Sequence, residues 1–393
     1  MGRALALAAR AGGRTSPNPM VGAVAIDPRT GRVLAEGFHL EPGLPHAEQA
    51  LIAAAAARNV DLRGATLVCS LEPCVHHGRT APCAPLVAAA GFSRAVLAVS
   101  DPDPRVDGRG IRFLREAGLD VTVGMAEGAA RRLNEGFFQR ATGGRPFVHL
   151  KMAMLPDGTV HPGAGRPAGI TGEAARGRVH AWRHLSAAVM VGAGTLRADD
   201  PRLTVRVPAT RPVTAALGAS EEAASAIPSD HEPWQPRRVV LSASFRVPPD
   251  ARALRPLPGG PPALVIGSVE APVSAETGLR DAGVETARVL GEGDRLQLAA
   301  VLDALGSMGV SSVLVEGGPT LADALLGAGL VQRLSVFTAE DPGREAPQGP
   351  RASPHPPAST WRPPGGLPFT GAWLRDLVRE RLGNDELVTG RMP

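Results

Sequence analysis

The chain is poor in several residue types that mark particular protein classes. It has three cysteines among 393 residues, and so small and odd a number does not resemble a secreted disulfide framework. Nine Phe, four Trp and no Tyr leave few rings on which nucleic-acid bases could stack. No apolar run reaches the roughly 18 residues that a membrane-spanning helix needs. These shortages favour a globular protein of the cytoplasm and argue against a nucleic-acid or membrane partner.

Lysine is nearly absent as well. Of 42 basic residues, Lys151 is the only lysine, and the formal net charge of +4 is spread without any run of five basic residues. A polybasic surface is therefore not indicated. An ammonium is a compact charge whose pKa can shift, unlike that of a guanidinium. We predict that Lys151 is catalytic and contacts a sugar or a cofactor; retention by chance in an arginine-rich composition is the alternative.

The length predicts two domains, and strands alternating with helices predict an α/β fold in both. The turn cluster "TGGRP" (142–146) places the boundary between domains 1–144 and 145–393. In the first domain "MGRALALAARAGGR" (1–14) predicts an amphipathic helix. Two stretches without sustained periodicity, 207–236 and 340–368, predict irregular excursions. Strands are predicted at 20–26, 33–39, 65–71, 94–100, 119–124, 147–154, 187–194, 237–244, 262–268, 311–318, 334–339 and, closing the chain, 381–391.

Two of the thiols flank a polar loop in "LEPCVHHGRTAPC" (71–83). A disulfide between Cys74 and Cys83 is disfavoured in a reducing compartment, and plain burial suits Cys69, in mid-strand, better than these two. A zinc site needs at least three protein ligands, and a catalytic one leaves a position for water. Upstream, "PHAEQAL" (45–51) offers His46. The sequence therefore predicts zinc held by His46, Cys74 and Cys83.

The order of these residues also predicts a reaction. A His-x-Glu helix start followed by Pro-Cys and a second Cys is typical of zinc nucleobase deaminases, although here eight residues separate the cysteines. His46 and Cys74 are expected at the N-terminal ends of two helices, where the dipole favours thiolate and hydroxide. Zinc lowers the pKa of bound water to about 7. Glu48 would then carry a proton between that water and the leaving amine.

Four segments, "TSPNPMVGAV", "PHAEQAL", "LEPCVHHGRTAPC" and "DPDPRVDGRG", resemble the deaminase half of the bifunctional riboflavin-biosynthesis deaminase/reductases, and the resemblance extends over nearly the whole chain. It implies a cytidine-deaminase-like three-layer α/β/α domain followed by a dihydrofolate-reductase-like domain that uses NADPH. It also implies a phosphoribosylamino-pyrimidine substrate and a homodimer or larger homo-oligomer. In the first domain, His76 and Arg79 are expected to enclose this substrate, and Asn18 and His39 to orient its ring. The last two could also be ordinary turn residues.

In the second domain, the turn Gly317-Gly318-Pro319-Thr320 precedes a predicted helix and would point N–H groups at a phosphate. By resemblance, the substrate contacts in this domain are Pro167, Arg183, Leu203, Arg206 and Glu316. The cofactor contacts are Ala153, Gly169, Thr195, Asp199, Gly318, Pro319, Thr320 and Leu321. Taken singly, Asp199 and Arg206 could be surface charges.

Some positions depart from the family pattern. Leu155 and Pro156 stand where Ser and Leu are expected, and Pro167 and Gly169 replace a hydroxyl and a large ring. Three alternatives therefore stay open. The chain could be a deaminase with an impaired reductase, a deaminase of free or RNA-borne bases, or a zinc-stabilised binding module without activity.

Overall fold

The structure is a computed structural model that describes residues 1–161, 170–206, 234–339, 359–361 and 374–393. Met1–Gly144 belongs to one compact unit, and Arg145–Val205 with Gln235–Pro393 forms the other. Arg206 and Trp234 group with the first unit, whereas the sequence analysis assigns them to the second. None of the helices in the described part is long and apolar enough to cross a bilayer.

The first unit is built on a five-stranded sheet with helices on both faces. Its strands are β1 (Gly22–Ile26), β2 (Val33–Phe38), β3 (Thr66–Cys69), β4 (Arg94–Leu97) and β5 (Asp120–Val123). Its helices are α1 (Gly2–Ala9), α2 (Ala47–Ala57), α3 (Cys83–Ala89), α4 (Arg109–Glu116), α5 (Glu127–Leu133) and α6 (Glu135–Gly143), with a 3-10 turn at Gly12–Thr15.

The strand order is β2-β1-β3-β4-β5, in which β1 runs antiparallel to both neighbours and β3, β4 and β5 are parallel. The segments that follow β3 and β4 therefore leave the sheet at the same edge. In an open α/β sheet this edge is where ligands bind. The predicted cysteine loop and "DPDPRVDGRG" begin there.

Two glycines allow helices to pack directly on the backbone of the sheet. A Cβ on Gly22 would lie 2.1 Å from the carbonyl oxygen of Ala4 in α1, and one on Gly37 would lie 2.4 Å from the amide nitrogen of Leu51 in α2. Because paired strand residues share a face, the pairing of Gly37 with Ala23 puts α1 and α2 on opposite sides of the sheet. The prediction of an amphipathic first helix is wrong: Ala4 to Ala9 are all buried, since α1 is covered on every side.

The second unit contains a nine-stranded main sheet, two separate two-stranded sheets and several helices. Its strands are β6 (Phe147–Met154), β7 (Thr159–His161), β8 (Ala188–Gly192), β9 (Arg237–Leu241), β10 (Leu264–Ser268), β11 (Glu285–Val289), β12 (Gly291–Glu292), β13 (Arg295–Leu296), β14 (Ser312–Val315), β15 (Arg333–Ala339), β16 (Ser359–Thr360), β17 (Arg375–Leu382) and β18 (Asp385–Arg391). Its helices are α7 (Glu173–Leu185), α8 (Ala193–Asp199), α9 (Thr277–Asp281), α10 (Leu298–Ser307) and α11 (Pro319–Gly327), with a 3-10 turn at Val273–Glu276. The two-stranded sheets pair β12 with β13 and β7 with β16.

The main sheet has the order β11-β10-β9-β8-β14-β6-β15-β18-β17. Its pairs are parallel from β11 to β15, and β15, β18 and β17 pair antiparallel. One strand was predicted over 381–391. The structure has a hairpin there instead, because Gly383 adopts a positive φ of 65° and turns the chain between Leu382 and Asp385. Buried aliphatic side chains from both faces form the core.

Candidate active sites

Three predicted metal ligands meet at one edge of the first sheet. His46 is the residue that precedes α2, and its backbone N–H donates to Gln49 Oε1 at 2.9 Å. Cys83 is the first residue of α3. Cys74 was expected at a helix start and is instead in the loop after β3; the helix begins at Cys83, one residue after Pro82, because the eight residues between the cysteines form the loop.

The distances among these residues fit a tetrahedral zinc site. His46 Nδ1 lies 3.6 Å from Cys74 Sγ and 3.4 Å from Cys83 Sγ, and all three donor atoms lie within 4.8 Å of one another. Ordinary Zn–N and Zn–S bond lengths give a tetrahedral edge of about 3.6 Å between nitrogen and sulfur. The set of one imidazole and two thiols therefore fits zinc in both chemistry and spacing.

Polar neighbours fix the orientation of the imidazole at this site. The other ring nitrogen of His46, Nε2, lies 3.2 Å from Thr80 Oγ1, which suits an N–H donated to that oxygen. The His39 ring packs edge-on against His46 with centroids 5.2 Å apart. His39 Nδ1 lies 3.1 Å from the carbonyl oxygen of Pro45, and its Nε2 lies 3.1 Å from Asn18 Nδ2. Asn18 and His39 therefore form a connected pair beside the metal ligands.

The Glu48 carboxyl is buried against the thiols. Only 4% of the residue is exposed, and its side chain contacts Cys83. Burial, followed by the charge of Cys74, raises the pKa of Glu48 to about 7. A carboxyl whose pKa lies near neutrality is suited to accept and donate a proton.

The two thiols are electrostatically different in the protein. A hydrogen bond from the Cys83 thiol, aided by His46, lowers the pKa of Cys74 to about 4. The same hydrogen bond together with burial raises the pKa of Cys83. The third thiol, Cys69, is fully buried, and desolvation raises its pKa well above the usual value. A thiolate is thus favoured at Cys74, and a bound metal ion would deprotonate the second ligand outright.

The loop between the cysteines, 75–82, carries several polar side chains. His76 is partly buried, and its Nδ1 has no hydrogen-bond partner among the described atoms. Arg79 is exposed. Contact of His76 and Arg79 with the substrate stays a prediction.

In the second unit, Lys151, Arg183 and Glu316 lie close together. Arg183 and Glu316 form a two-pronged ion pair with N–O distances of 2.6 and 2.9 Å, and each side chain is only 10% exposed. Arg183 also donates to the carbonyl oxygen of Thr204 at 2.9 Å. Lys151 Nζ lies 5.8 Å from the centre of the Phe337 ring. Burial lowers the pKa of Lys151, while the negative charges of Glu316 and Asp199 act in the opposite direction.

The predicted phosphate-binding turn is held in place by a second predicted residue. Thr195, in α8, accepts a hydrogen bond from the Gly318 N–H at 3.0 Å. Gly318 precedes α11, whose first residue is Pro319. Because Pro has no N–H, the amides after it are the free donors of the first turn. The structure thus brings Thr195 and the turn together at the ends of β8 and β14.

The other predicted residues of this domain occupy varied positions. Ala153 is on β6 and packs in a small cluster with Phe337. Leu203 is 1% exposed in the hydrophobic core. Asp199, Arg206 and Thr320 are exposed, and Leu321 is partly buried. Pro167 and Gly169 lie outside the described residues.

The first departure from the family pattern falls in a tight turn. Gly158 N–H donates to the Leu155 carbonyl at 2.9 Å, and Leu155 N–H donates to the Thr159 carbonyl at 2.8 Å. Pro156 is the second residue of this turn, where its fixed φ is favourable, and Gly158 has a φ of 89°. The substituted residues therefore suit the connection between β6 and β7.

Several buried polar residues of the first unit make contacts that the sequence does not reveal. Glu72, 3% exposed, precedes Pro73 and Cys74 and accepts four backbone N–H bonds. Asp101 is 7% exposed, and burial raises its pKa to about 7. Asn134 exchanges two hydrogen bonds with the backbone of Met20, at 2.8 and 2.9 Å. The only sequence signals were the acid beside the Pro-Cys pair and the "DPDP" segment.

Comparison with known proteins agrees with these two sites. A protein-family model described as the cytidine and deoxycytidylate deaminase zinc-binding region matches residues 1–99, and one described as the RibD C-terminal domain matches residues 146–339. The riboflavin biosynthesis protein RibD of Escherichia coli (strain K12) is 37% identical over 339 residues, which cover 86% of each chain. The chain belongs to the RibD family. RibD of Actinobacillus pleuropneumoniae is 35% identical over 339 residues, 86% of this chain and 82% of that protein.

Solved structures lead to the same family. A deaminase/reductase from Thermotoga maritima has a TM-score of 0.74 at 30% identity, and Acinetobacter baumannii RibD (form 2) has 0.73 at 31%; each comparison covers 100% of this chain and 97% of the other. The predicted fold class is confirmed: a cytidine-deaminase-like domain precedes a RibD reductase domain. The chain is a bifunctional enzyme of riboflavin biosynthesis, with a zinc-dependent deaminase and an NADPH-using reductase.

Proposed function

We propose that the first domain deaminates 2,5-diamino-6-(5-phosphoribosylamino)pyrimidin-4(3H)-one. The second domain then reduces the ribosyl group with NADPH to give 5-amino-6-(5-phosphoribitylamino)uracil. The observation that carries the proposal is the convergence of His46, Cys74 and Cys83 at tetrahedral spacing beside a buried Glu48. The similar Thermotoga maritima protein supports this choice of substrate, since it is a diaminohydroxyphosphoribosylaminopyrimidine deaminase and 5-amino-6-(5-phosphoribosylamino)uracil reductase.

In the deaminase centre, His46, Cys74 and Cys83 would hold the zinc ion. When bound, the ion activates water for hydrolysis at neutral pH. Glu48 is not needed as a ligand, and its buried position beside Cys83 suits it to move a proton toward the departing amine. Asn18 and His39, hydrogen-bonded to each other, orient the pyrimidine ring, while His76 and Arg79 enclose the rest of the substrate.

In the reductase domain, Lys151, Arg183 and Glu316 face the substrate. The Arg183–Glu316 pair is buried, so the guanidinium is held in a fixed orientation. Leu203, Arg206 and Pro167 complete the substrate contacts by resemblance to the family. On the NADPH side, Gly318 positioned by Thr195 offers the free amides of α11 to a phosphate. The other NADPH contacts are Ala153, Gly169, Asp199, Pro319, Thr320 and Leu321.

Two observations favour a working reductase over an impaired one. The unusual Leu155 and Pro156 are accommodated in a well-formed turn. The Arg183–Glu316 ion pair and Lys151 also lie close together, although they come from distant parts of the chain.

We also propose that the enzyme acts in the cytoplasm on this small-molecule substrate, as a homodimer or larger homo-oligomer, without a nucleic-acid or membrane partner. The state of the cysteines supports the location, because all three are free and two are placed as metal ligands. Thiols persist in that form in a reducing compartment. Membership of the family supports the oligomer.

The purified enzyme is expected to release ammonia from the phosphoribosylamino-pyrimidine and then to oxidise one NADPH per ammonia released. Cytidine and tRNA should release none, because neither carries the phosphoribosylamino group that the loop at 75–82 is expected to enclose. Ammonia release and NADPH absorbance are followed in the same reaction. Release from cytidine or tRNA alone would contradict the substrate assignment. Ammonia without NADPH oxidation would indicate the deaminase with an impaired reductase.

A Lys151→Met variant is expected to lose NADPH oxidation by about 10²-fold or more, the range for loss of a positioned proton-transfer group. Ammonia release should persist, because the deaminase is in the other unit. An Arg333→Met variant is the matched control, since Arg333 lies over Phe147 at 5.9 Å on the same sheet. Equal NADPH oxidation by Lys151→Met and wild type would remove Lys151 from the catalytic machinery.

A further inference from the structure

Glu72 connects the zinc loop to a distant part of the first domain. Its Oε2 accepts hydrogen bonds from the backbone N–H groups of Asp101 and Gly108 at 3.1 and 3.0 Å. Its Oε1 accepts those of Gly110 and Ile111 at 2.8 and 3.1 Å. The four donors lie 29 to 39 residues later in the chain. One buried side chain therefore fixes the whole segment from Asp101 to Ile111.

This carboxylate is satisfied from within the domain rather than by solvent or a ligand. Two of its donors belong to the first turn of α4, whose amides have no partner inside the helix. A negative charge at a helix N-terminus is also favoured by the helix dipole. The backbone N–H of Glu72 donates to the Val99 carbonyl at 3.0 Å, so the residue is fixed on both its side-chain and main-chain atoms.

The segment that Glu72 holds lies directly against Pro73, the residue that precedes the metal ligand Cys74. A Cβ on Gly110 would be 2.1 Å from the carbonyl oxygen of Pro73 and 3.1 Å from the Glu72 side chain. Pro73 is covalently joined to Cys74, whose carbonyl accepts the Ala84 N–H at 3.0 Å. The Cys83 N–H points at Cys74 Sγ at 3.4 Å. Cys74 is therefore hydrogen-bonded to the start of α3, and the residue before it packs against the start of α4.

We propose that Glu72 is a positioning residue of the deaminase centre, which by anchoring segment 101–111 against Pro73 sets the place of Cys74 Sγ for zinc binding. The inference rests on the proposed zinc site. Glu72 acts through Cys74 and does not touch the reacting atoms. Mutation of a residue that orients a metal ligand typically lowers metal affinity or activity by about 10–100-fold.

The first test compares Glu72→Gln with wild type. Gln has the same shape but replaces one acceptor oxygen by an NH₂ group that faces N–H donors. Zinc affinity, measured by competition with a chelator below the unfolding temperature, is expected to fall about 10–100-fold. Asp27→Asn is the matched control, because Asp27 accepts the Arg29 N–H at 2.9 Å in a hairpin turn of the same domain. NADPH oxidation of supplied deaminated substrate reports that the rest of the chain is folded.

A second measurement needs no variant. If Glu72 couples Cys74 to segment 101–111, removal of zinc from wild type must loosen that segment, since coupling between two sites is reciprocal. Hydrogen exchange at the Gly108, Gly110 and Ile111 amides should accelerate, while exchange within β5 stays unchanged. The proposal is overturned if Glu72→Gln binds zinc as tightly as wild type, or loses no more zinc affinity than Asp27→Asn. It is also overturned if hydrogen exchange at these amides is the same with and without zinc. Wild type that binds no zinc would instead refute the proposed deaminase site.

Discussion

A Glu48→Gln variant is expected to keep its zinc and to lose ammonia release by about 10²–10⁴-fold, the usual contribution of a positioned general acid–base. Glu48 lies in the first turn of α2, two residues after the ligand His46, so the substitution leaves all three metal ligands in place. Gln fills the same buried space but cannot exchange a proton. Ammonia release and metal content are measured on the same preparation.

Glu36→Gln supplies the matched control for this substitution. Glu36 is in β2 of the same domain and pairs with Arg3 at 2.6 Å, with about a third of each side chain exposed. Its loss should leave ammonia release within a small factor of wild type, because exposed ion pairs contribute little. Undiminished release by Glu48→Gln would refute the role of Glu48. Loss of zinc together with activity would assign Glu48 to the metal site instead.

The metal ligands could be predicted from the sequence because their chemistry is carried by rare residue types in a fixed order. The start of helix α3 differs from the prediction because of the proline residues that precede the two cysteines. Because Cys74 comes directly after Pro73, the sequence predicts a helix start there, but the helix begins at Cys83, after Pro82. The intervening loop is specific to this spacing, and its course depends on contacts such as Thr80 with His46.

The supporting residues could not be predicted, because their partners are backbone groups. Glu72 binds amides 29 to 39 residues away, and Asn134 binds the backbone of Met20, 114 residues away. No spacing rule connects a side chain to an N–H group whose position only the folded sheet defines. Arg183 and Glu316 pair through their side chains, but 133 residues separate them, and only the resemblance to the family singled them out.

The burial of the first helix could not be predicted from its own sequence. Its alanines and leucines predict one apolar face, yet every residue from Ala4 to Ala9 is buried, and Gly22 lets the backbone of α1 lie directly against the sheet. How closely an alanine-rich helix packs depends on whether the facing strand residue has a side chain. The sequence of the helix alone does not show that this residue is a glycine. Strand positions were predicted more reliably, since their continuous apolar runs match buried parallel strands.

A Cys83→Ala variant is expected to lose zinc and ammonia release while NADPH oxidation of supplied deaminated substrate continues. Two ligands, His46 and Cys74, would remain, fewer than the three that a catalytic zinc site requires. The affinity for zinc should fall by more than ~10–100-fold, which is the effect of losing a residue that only orients a metal ligand. In wild type, zinc at a hundred times its dissociation constant stabilises the folded state by about 2.7 kcal/mol. Added zinc should therefore raise the unfolding temperature of wild type and not that of Cys83→Ala.

Cys69→Ala makes this test specific, because Cys69 is a buried thiol of the same domain that lies outside the group of metal ligands. Cys69 and Cys83 are both fully buried, so the two substitutions remove the same sulfur from similarly packed surroundings. Cys69, however, is in β3 and outside the group of metal ligands, and burial raises its pKa so that it stays a neutral thiol. Cys69→Ala should lose packing energy yet keep zinc, ammonia release and the stabilisation by added zinc. If both variants responded to zinc alike, the metal would be held elsewhere, and the deaminase centre would need a different set of ligands.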